Sequence, residues 1–142
     1  MPDVLFQQEL LVRGFIDEVL NQRRVHQITD YVDLDAIEYK AFIVSDGLQG
    51  DNFRGDIERL LGAFSALRVE VLHIVNATDQ IAVRLNLSGR HTGALPQAPQ
   101  PSMRAATWDA IAVLRLRAGR IVELNGVADR LRMLQQLGMA GG

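Results

Sequence analysis

Hydrophobic and polar positions divide this chain into a helical first half and a stranded second half. From Val4 to about Asn21, the residues Val12, Phe15, Ile16, Val19 and Leu20 recur at i, i+3, i+4, i+7 and i+8, and Leu5 extends the stripe one heptad earlier. Glu9, Arg13, Glu18 and Arg23 lie mostly off that stripe, so the spacing predicts an amphipathic helix that needs a surface to cover. Pro2 and Asp3 suit its start. A second short helix is predicted from about Arg24 to Tyr31, with Val25 and Ile28 inward. Residues 36–42 fit a short irregular strand, and VSDGLQGD at 44–51 is a loop. Phe53, Ile57, Leu60, Leu61 and Phe64 form another apolar stripe, which places a third helix over about Asp51–Ser65. Asp51 is its expected N-cap, because a carboxylate there can accept from the free amides of the first turn.

After Leu67 the period falls from 3.6 to 2. Val69, Val71, His73 and Val75 alternate with Glu70, Leu72, Ile74 and Asn76. A turn at 76–79 follows, and then Ile81, Val83, Leu85 and Leu87 alternate with Arg84, Asn86, Ser88 and Arg90. This predicts an antiparallel hairpin. The segment TGALPQAPQPSM at 92–103 holds three of the four prolines and is a loop, long for a hairpin connection. Arg104–Asp129 supplies two more strands around a tight turn at Ala118–Gly119, residues 129–137 a last helix, and MAGG a frayed tail. Helices first and strands later indicate an α+β fold rather than βαβ units. Its four long strands form a meander, and the amphipathic helices cover one face of a curved sheet. A pocket is expected between the two layers. One domain over residues 1–142 is the simplest organisation at this length.

Charge and composition narrow the function. Fifteen basic residues against seventeen acidic ones give a net charge of −2, which does not suit a nucleic-acid partner. The densest basic run, Arg115, Arg117, Arg120, Arg130 and Arg132, is interleaved with apolar residues, as in solvated ends of strands and a helix. There is no cysteine, which removes disulfides, thiolate catalysis and cysteine-ligated metal centres. No metal and no cofactor are expected. No run of about 18 apolar residues could span a bilayer, and the first residues lack a signal-peptide pattern. The expected setting is the cytoplasm, with no membrane partner.

Four stretches carry a family resemblance. They are LRVEVLHIV at 67–75 after Gly50 and its helix, DQIAVRLNLSGRHTG at 79–93, VLRLRAGRIVELN at 113–125, and Asp129 with LQQLG at 134–138. The G-R-H-T-G run and the D-x-x-x-x-L-Q-Q-L-G ending are the specific parts. On these the chain resembles the SnoaL-like polyketide cyclases, within the nuclear transport factor two-like superfamily, over nearly its whole length. The resemblance implies a cone-shaped α+β barrel in which a curved antiparallel or mixed sheet is covered by N-terminal helices over a deep apolar cavity. It also implies pairing through the sheet into a homodimer. In those cyclases an Asp on the last strand is general acid/base in an intramolecular aldol closure. It lies three residues before the Asp that precedes the L-Q-Q-L-G helix, and counting back from Asp129 gives Gly126 here. The family's polar Gln and His of the neighbouring strand match Ala110 and Ala112, and its Asn on the early strand matches Glu38. Proton transfer by a placed side chain is typically worth about 10² to 10⁴ in rate, so these replacements bear directly on cyclase activity.

The expected pocket lining is Phe15, Trp108, Ala110, Ala112, Leu124 and Gly126. Three residues are candidates for acid/base chemistry. Glu38 would be one if its carboxylate faced an apolar cavity, and otherwise it is a surface residue on a ragged strand. His91 either meets a ligand at the pocket mouth or caps a strand end. Asp109 alternates with Trp108 and so points to the other face, where Arg84, Arg104 or Arg115 could pair with it. Asp129 is expected to cap the last helix. The leading reading is a protein that binds a small apolar or aromatic molecule. The alternatives are an acid/base enzyme of cyclase, isomerase or hydratase type using Glu38 or His91, and a non-catalytic module acting through its dimer. Ile111 and Val113 on the outer sheet face favour the dimer.

Overall fold

A computed structural model describes residues 4–40 and 52–139. Helix α1 spans Val4–Gly14, and a π-helical segment, Phe15–Asn21, continues it. The predicted single helix therefore changes its winding at Gly14. The ring of Tyr31 lies where a side chain at Gly14 would be, with its Cε1 2.8 Å from an ideal Cβ. Phe15, Ile16, Val19 and Leu20 of the wider turns are all buried. A 3₁₀ turn over Val25–Asp30 buries Ile28.

Strand β1 is only Glu38–Tyr39. Of the strand expected over 36–42, Ala36 lies in a turn and Ile37 and Lys40 stand outside the strand; residues 41–42, the loop expected at 44–51, the proposed Asp51 cap and the end of the tail lie outside the described residues. Helix α2 spans Phe53–Ala63, and its cap is Asn52, whose Oδ1 accepts from the amide of Gly55 at 2.6 Å. The helix stops two residues before the expected Ser65, because Phe64 already pairs with His91 as the start of strand β2, Phe64–Asn76. The strand begins irregularly: the register shifts between Ser65 and Arg68, where Ala66 has φ 52°. This bulge hides the strand's first residues from a period-2 reading.

A second shift between Val71 and His73 reverses the alternation further along. Ile74, paired with Val83, packs on the core, whereas Val75 is exposed. The unbroken alternation expected over 69–76 is therefore interrupted by one extra residue, as a one-residue slip turns every side chain to the other face.

Strands β3, Ile81–His91, β4, Ala105–Arg117, and β5, Arg120–Ala128, complete an antiparallel meander with β2. Strand β1 joins β5 in parallel, so the sheet is mixed and open, in the order β1-β5-β4-β3-β2. Ala118 at φ 52° and Gly119 at φ 76° make the two-residue turn between β4 and β5. Helix α3, Arg130–Gln136, is capped by Asp129, whose Oδ1 accepts from the amide of Arg132 at 3.1 Å. Gly138, at φ 78°, ends it in a Schellman turn: its amide donates to Gln135 O and that of Met139 to Leu134 O.

The core lies between the inner sheet face and the helices. Val83, Leu85 and Leu87 of β3 and Trp108, Ala110, Ala112 and Leu114 of β4 are buried there, under Val12, Phe15, Phe53 and Ile57. No described helix is long and apolar enough to cross a membrane.

Candidate functional site

The two long central strands set the floor of the site. Their inward pairs are Ala110 with Ala128, Ala112 with Gly126, and Leu114 with Leu124. Small residues at the first two pairs keep the floor low, and the larger leucines raise it towards the Ala118–Gly119 turn. Over this floor lies a space of about 30 Å³ between the sheet and the helices. Its lining comes from α1 and the π segment (Val12, Phe15), from α2 (Phe53, Ile57) and from the sheet (Leu85, Ala112). Every described residue that lines it is apolar.

Of the expected lining, Phe15, Ala112 and Leu124 line this space. Trp108 and Ala110 are buried on the same strand face, towards its other end. Gly126 is half-buried and opposite Ala112.

Two of the lining residues, Phe15 and Phe53, are aromatic, and the rings of Tyr31 and Tyr39 pack against them. Phe15 stands 6.3 Å from Tyr31 and 6.2 Å from Phe53, and Tyr39 packs edge-on to Phe53 at 5.0 Å. Tyr39 pairs with Leu124 in the parallel register of β1 and β5, which puts it on the cavity side of the sheet. Its hydroxyl donates to Asp56 Oδ2 at 2.7 Å, and Arg59 Nη1 donates to Oδ1 of the same carboxylate at 2.5 Å. Burial, and then the Asp56 carboxylate, push the Tyr39 phenol above its ordinary range, so it stays protonated. The Tyr31 phenol is raised too, by burial and by Glu18.

The acid/base candidates lie apart from one another. Glu38 is exposed, since in a two-residue strand only its neighbour Tyr39 takes the inward position. His91 is fully buried. Its Nδ1 accepts from the Ser102 amide at 2.9 Å and lies 3.0 Å from Ser102 Oγ, which places the ring proton of the neutral form on Nε2. His91 Nε2 and Trp108 Nε1 find no partner among the described residues, and Phe64 stands between the two rings, 5.9 Å and 5.0 Å away. The G-R-H-T-G run thus ties the proline-rich loop to the sheet. The amides of Thr92 and Gly93 both donate to Ala63 O, and a side chain at Gly93 would stand 2.1 Å from Gly62 O.

Asp109 points outward. Its Oδ1 accepts from Asn86 at 2.9 Å and its Oδ2 from Arg84 at 3.3 Å. Those two bonds hold its carboxyl below the usual range. No group of three or more His, Asp or Glu among the described residues could hold a metal. The residues that sequence reasoning missed are Tyr39 and Asp56. Their spacing carries no periodic or motif signal, because they meet only when β1 and α2 pack together.

Known structures share this fold over almost the whole chain. TsrD from Streptomyces laurentii superposes with a TM-score of 0.80 at 19% identity, over 98% of this chain and 99% of its own. AclR from Streptomyces galilaeus gives 0.80 at 21%, over 97% and 89%. A SnoaL-like polyketide cyclase from Agrobacterium tumefaciens gives 0.75 at 17%, over 97% and 100%. No curated protein matches significantly in sequence. At such identities the superpositions establish the fold, and the family follows from a match over residues 10–137 to the model of the SnoaL-like polyketide cyclases. The chain belongs to the SnoaL-like polyketide cyclase family.

Proposed function

We propose that this protein binds a small hydrophobic or aromatic molecule in the cavity between sheet and helices, without the carboxylate chemistry that the family resemblance would place at position 126. The observation that carries this reading is the lining, which among the described residues is wholly apolar. Such a surface takes up an apolar ring system and offers it no proton. An acid/base reading through Glu38 or His91 has less support, because Glu38 is exposed and Nδ1 of His91 is bonded to Ser102.

The cavity, of about 30 Å³, has room for a water molecule or so. Apolar cavities that take up benzene are nearer 150 Å³. A ligand therefore enters only when the apolar lining, Phe15 and Phe53 among it, yields. Titration with naphthalene, followed through the fluorescence of the single Trp108, tests the reading. Saturable binding is expected, weakened at least tenfold by Ala112→Leu, which fills the space from its floor. Absence of saturable binding, or binding indifferent to Ala112→Leu in a folded variant, would sink it.

The same proposal includes a homodimer through the outer sheet face. Val127, Ile111 and Val113 are 70%, 50% and 37% exposed there, around the Arg84–Asp109 ion pair. A monomer would leave this apolar row in water.

A further inference from the structure

An apolar cavity can hold a ring system but cannot orient it. Orientation needs a polar group at the edge, and Tyr39 with Asp56 is a polar pair that packs against the lining residue Phe53. Tyr39 touches Phe53 on one side of the rim and is in register with Leu124 on the other; both of those residues line the cavity. Asp56 lies one turn of α2 beyond Phe53 and next to Ile57, which also lines it. We propose that Tyr39 and Asp56 form a polar anchor at the cavity rim that selects ligands bearing a phenolic or enolic hydroxyl. The proposal rests on the cavity reading given above and adds the ligand's chemistry to it.

The selection follows from which atoms are already committed. A phenol has one proton to donate and lone pairs to accept with. The proton of Tyr39 goes to Asp56 Oδ2 at 2.7 Å. Arg59 holds the other oxygen of Asp56, which fixes the carboxylate's position. The Tyr39 oxygen is thereby left as an acceptor, and donating to a carboxylate strengthens it in that role. An incoming hydroxyl can donate to it; a ketone, an ether or a bare ring cannot. The raised Tyr39 phenol agrees with this, since it keeps its proton and its bond to Asp56.

Three probes of one ring system separate the parts of the claim: naphthalene, 2-methoxynaphthalene and 2-naphthol, each titrated against the wild-type chain, Tyr39→Phe and Asp56→Asn. In the wild type, 2-naphthol is expected to bind roughly three- to tenfold more tightly than 2-methoxynaphthalene, the range of one hydrogen bond. Tyr39→Phe keeps the ring against Phe53, so its naphthalene affinity should stay while the preference for the naphthol disappears. Asp56→Asn weakens the acceptor and should reduce the preference, and it serves as the second variant if Tyr39→Phe does not fold. A purely structural role for the pair would change all three affinities together and would overturn the anchor. So would naphthalene binding without any preference for 2-naphthol, or a preference that survives Tyr39→Phe, although the cavity reading would stand. If naphthalene itself does not bind, the cavity reading falls and the anchor with it.

Discussion

Single residues hold this fold where backbones approach or turn. Gly93 is the tightest case: a methyl group there would overlap Gly62 O at 2.1 Å, and neither strand end nor helix end can retreat without losing the bonds to Ala63 O. Gly93→Ala is expected to cost at least the roughly 1–3 kcal/mol of an overpacked core site, measured by urea denaturation. Ala118 is the opposite case. It adopts φ 52° without being glycine, at about 1–2 kcal/mol, and glycine would give back about 0.4–1 kcal/mol through the unfolded chain. Ala118→Gly should therefore stabilise by up to about 1.6 kcal/mol. Tyr39 sets a pH dependence. Burial and Asp56 raise its folded-state value above the unfolded one near 10, so the folded chain holds this proton to higher pH. Its contribution is full below about pH 10 and is lost as pH rises through the folded value. Thermal melts above pH 10 should fall less steeply for Tyr39→Phe than for wild type. The fall should not vanish, because Tyr31 is raised as well.

Elements are joined by side-chain amides that replace missing strands. At the sheet edge, Asn21 uses both ends of its amide on Val69 of β2, donating to its carbonyl at 2.9 Å and accepting from its N–H at 2.7 Å. Gln136 does the same for Thr107, where β4 runs on past the end of β5, with bonds of 2.7 Å and 2.8 Å. These amides close edges that would otherwise offer unpaired backbone to another chain. Gln136 also gives the second glutamine of L-Q-Q-L-G a physical reason, while Leu137 is buried and Gly138 makes the turn after it. Asn21→Ala and Gln136→Ala should each cost roughly 1–3 kcal/mol through the backbone groups left without partners. Hydrogen exchange should rise at Val69 in the first variant and at Thr107 in the second. Arg23, at φ 61°, ties the end of the π segment to the helix–strand junction by donating to Leu61 O and Phe64 O.

At the scale of the whole molecule, one sheet separates two apolar surfaces. The inner one is covered by helices and encloses the cavity. The outer one carries Ile111, Val113 and Val127. Burial of that row against a second copy predicts a sedimenting species of twice 15.8 kDa at micromolar concentration. Val127→Lys with Ile111→Lys should return it to the mass of one chain without changing naphthalene affinity. A wild-type chain that sediments as a monomer would refute the pairing.

The sequence by itself determined the element order, the α+β class, the antiparallel meander and the inward face of β4, because each rests on a local period that burial imposes along one element. It also carried the family, through short runs whose glycines and amides serve close packing. It carried the alternation of β2 unbroken past Val71, since a bulge is a relation between two strands and leaves no mark in either one alone. Only the tertiary structure decided which polar groups meet behind the cavity lining. Glu38 and Tyr39 are neighbours in sequence, yet the parallel register with β5 puts Tyr39 on the cavity side and leaves Glu38 exposed. Asp56 reaches Tyr39 across seventeen positions because α2 packs over β1. Periodicity reports which face an element buries; what two elements bring together is settled by how they pack.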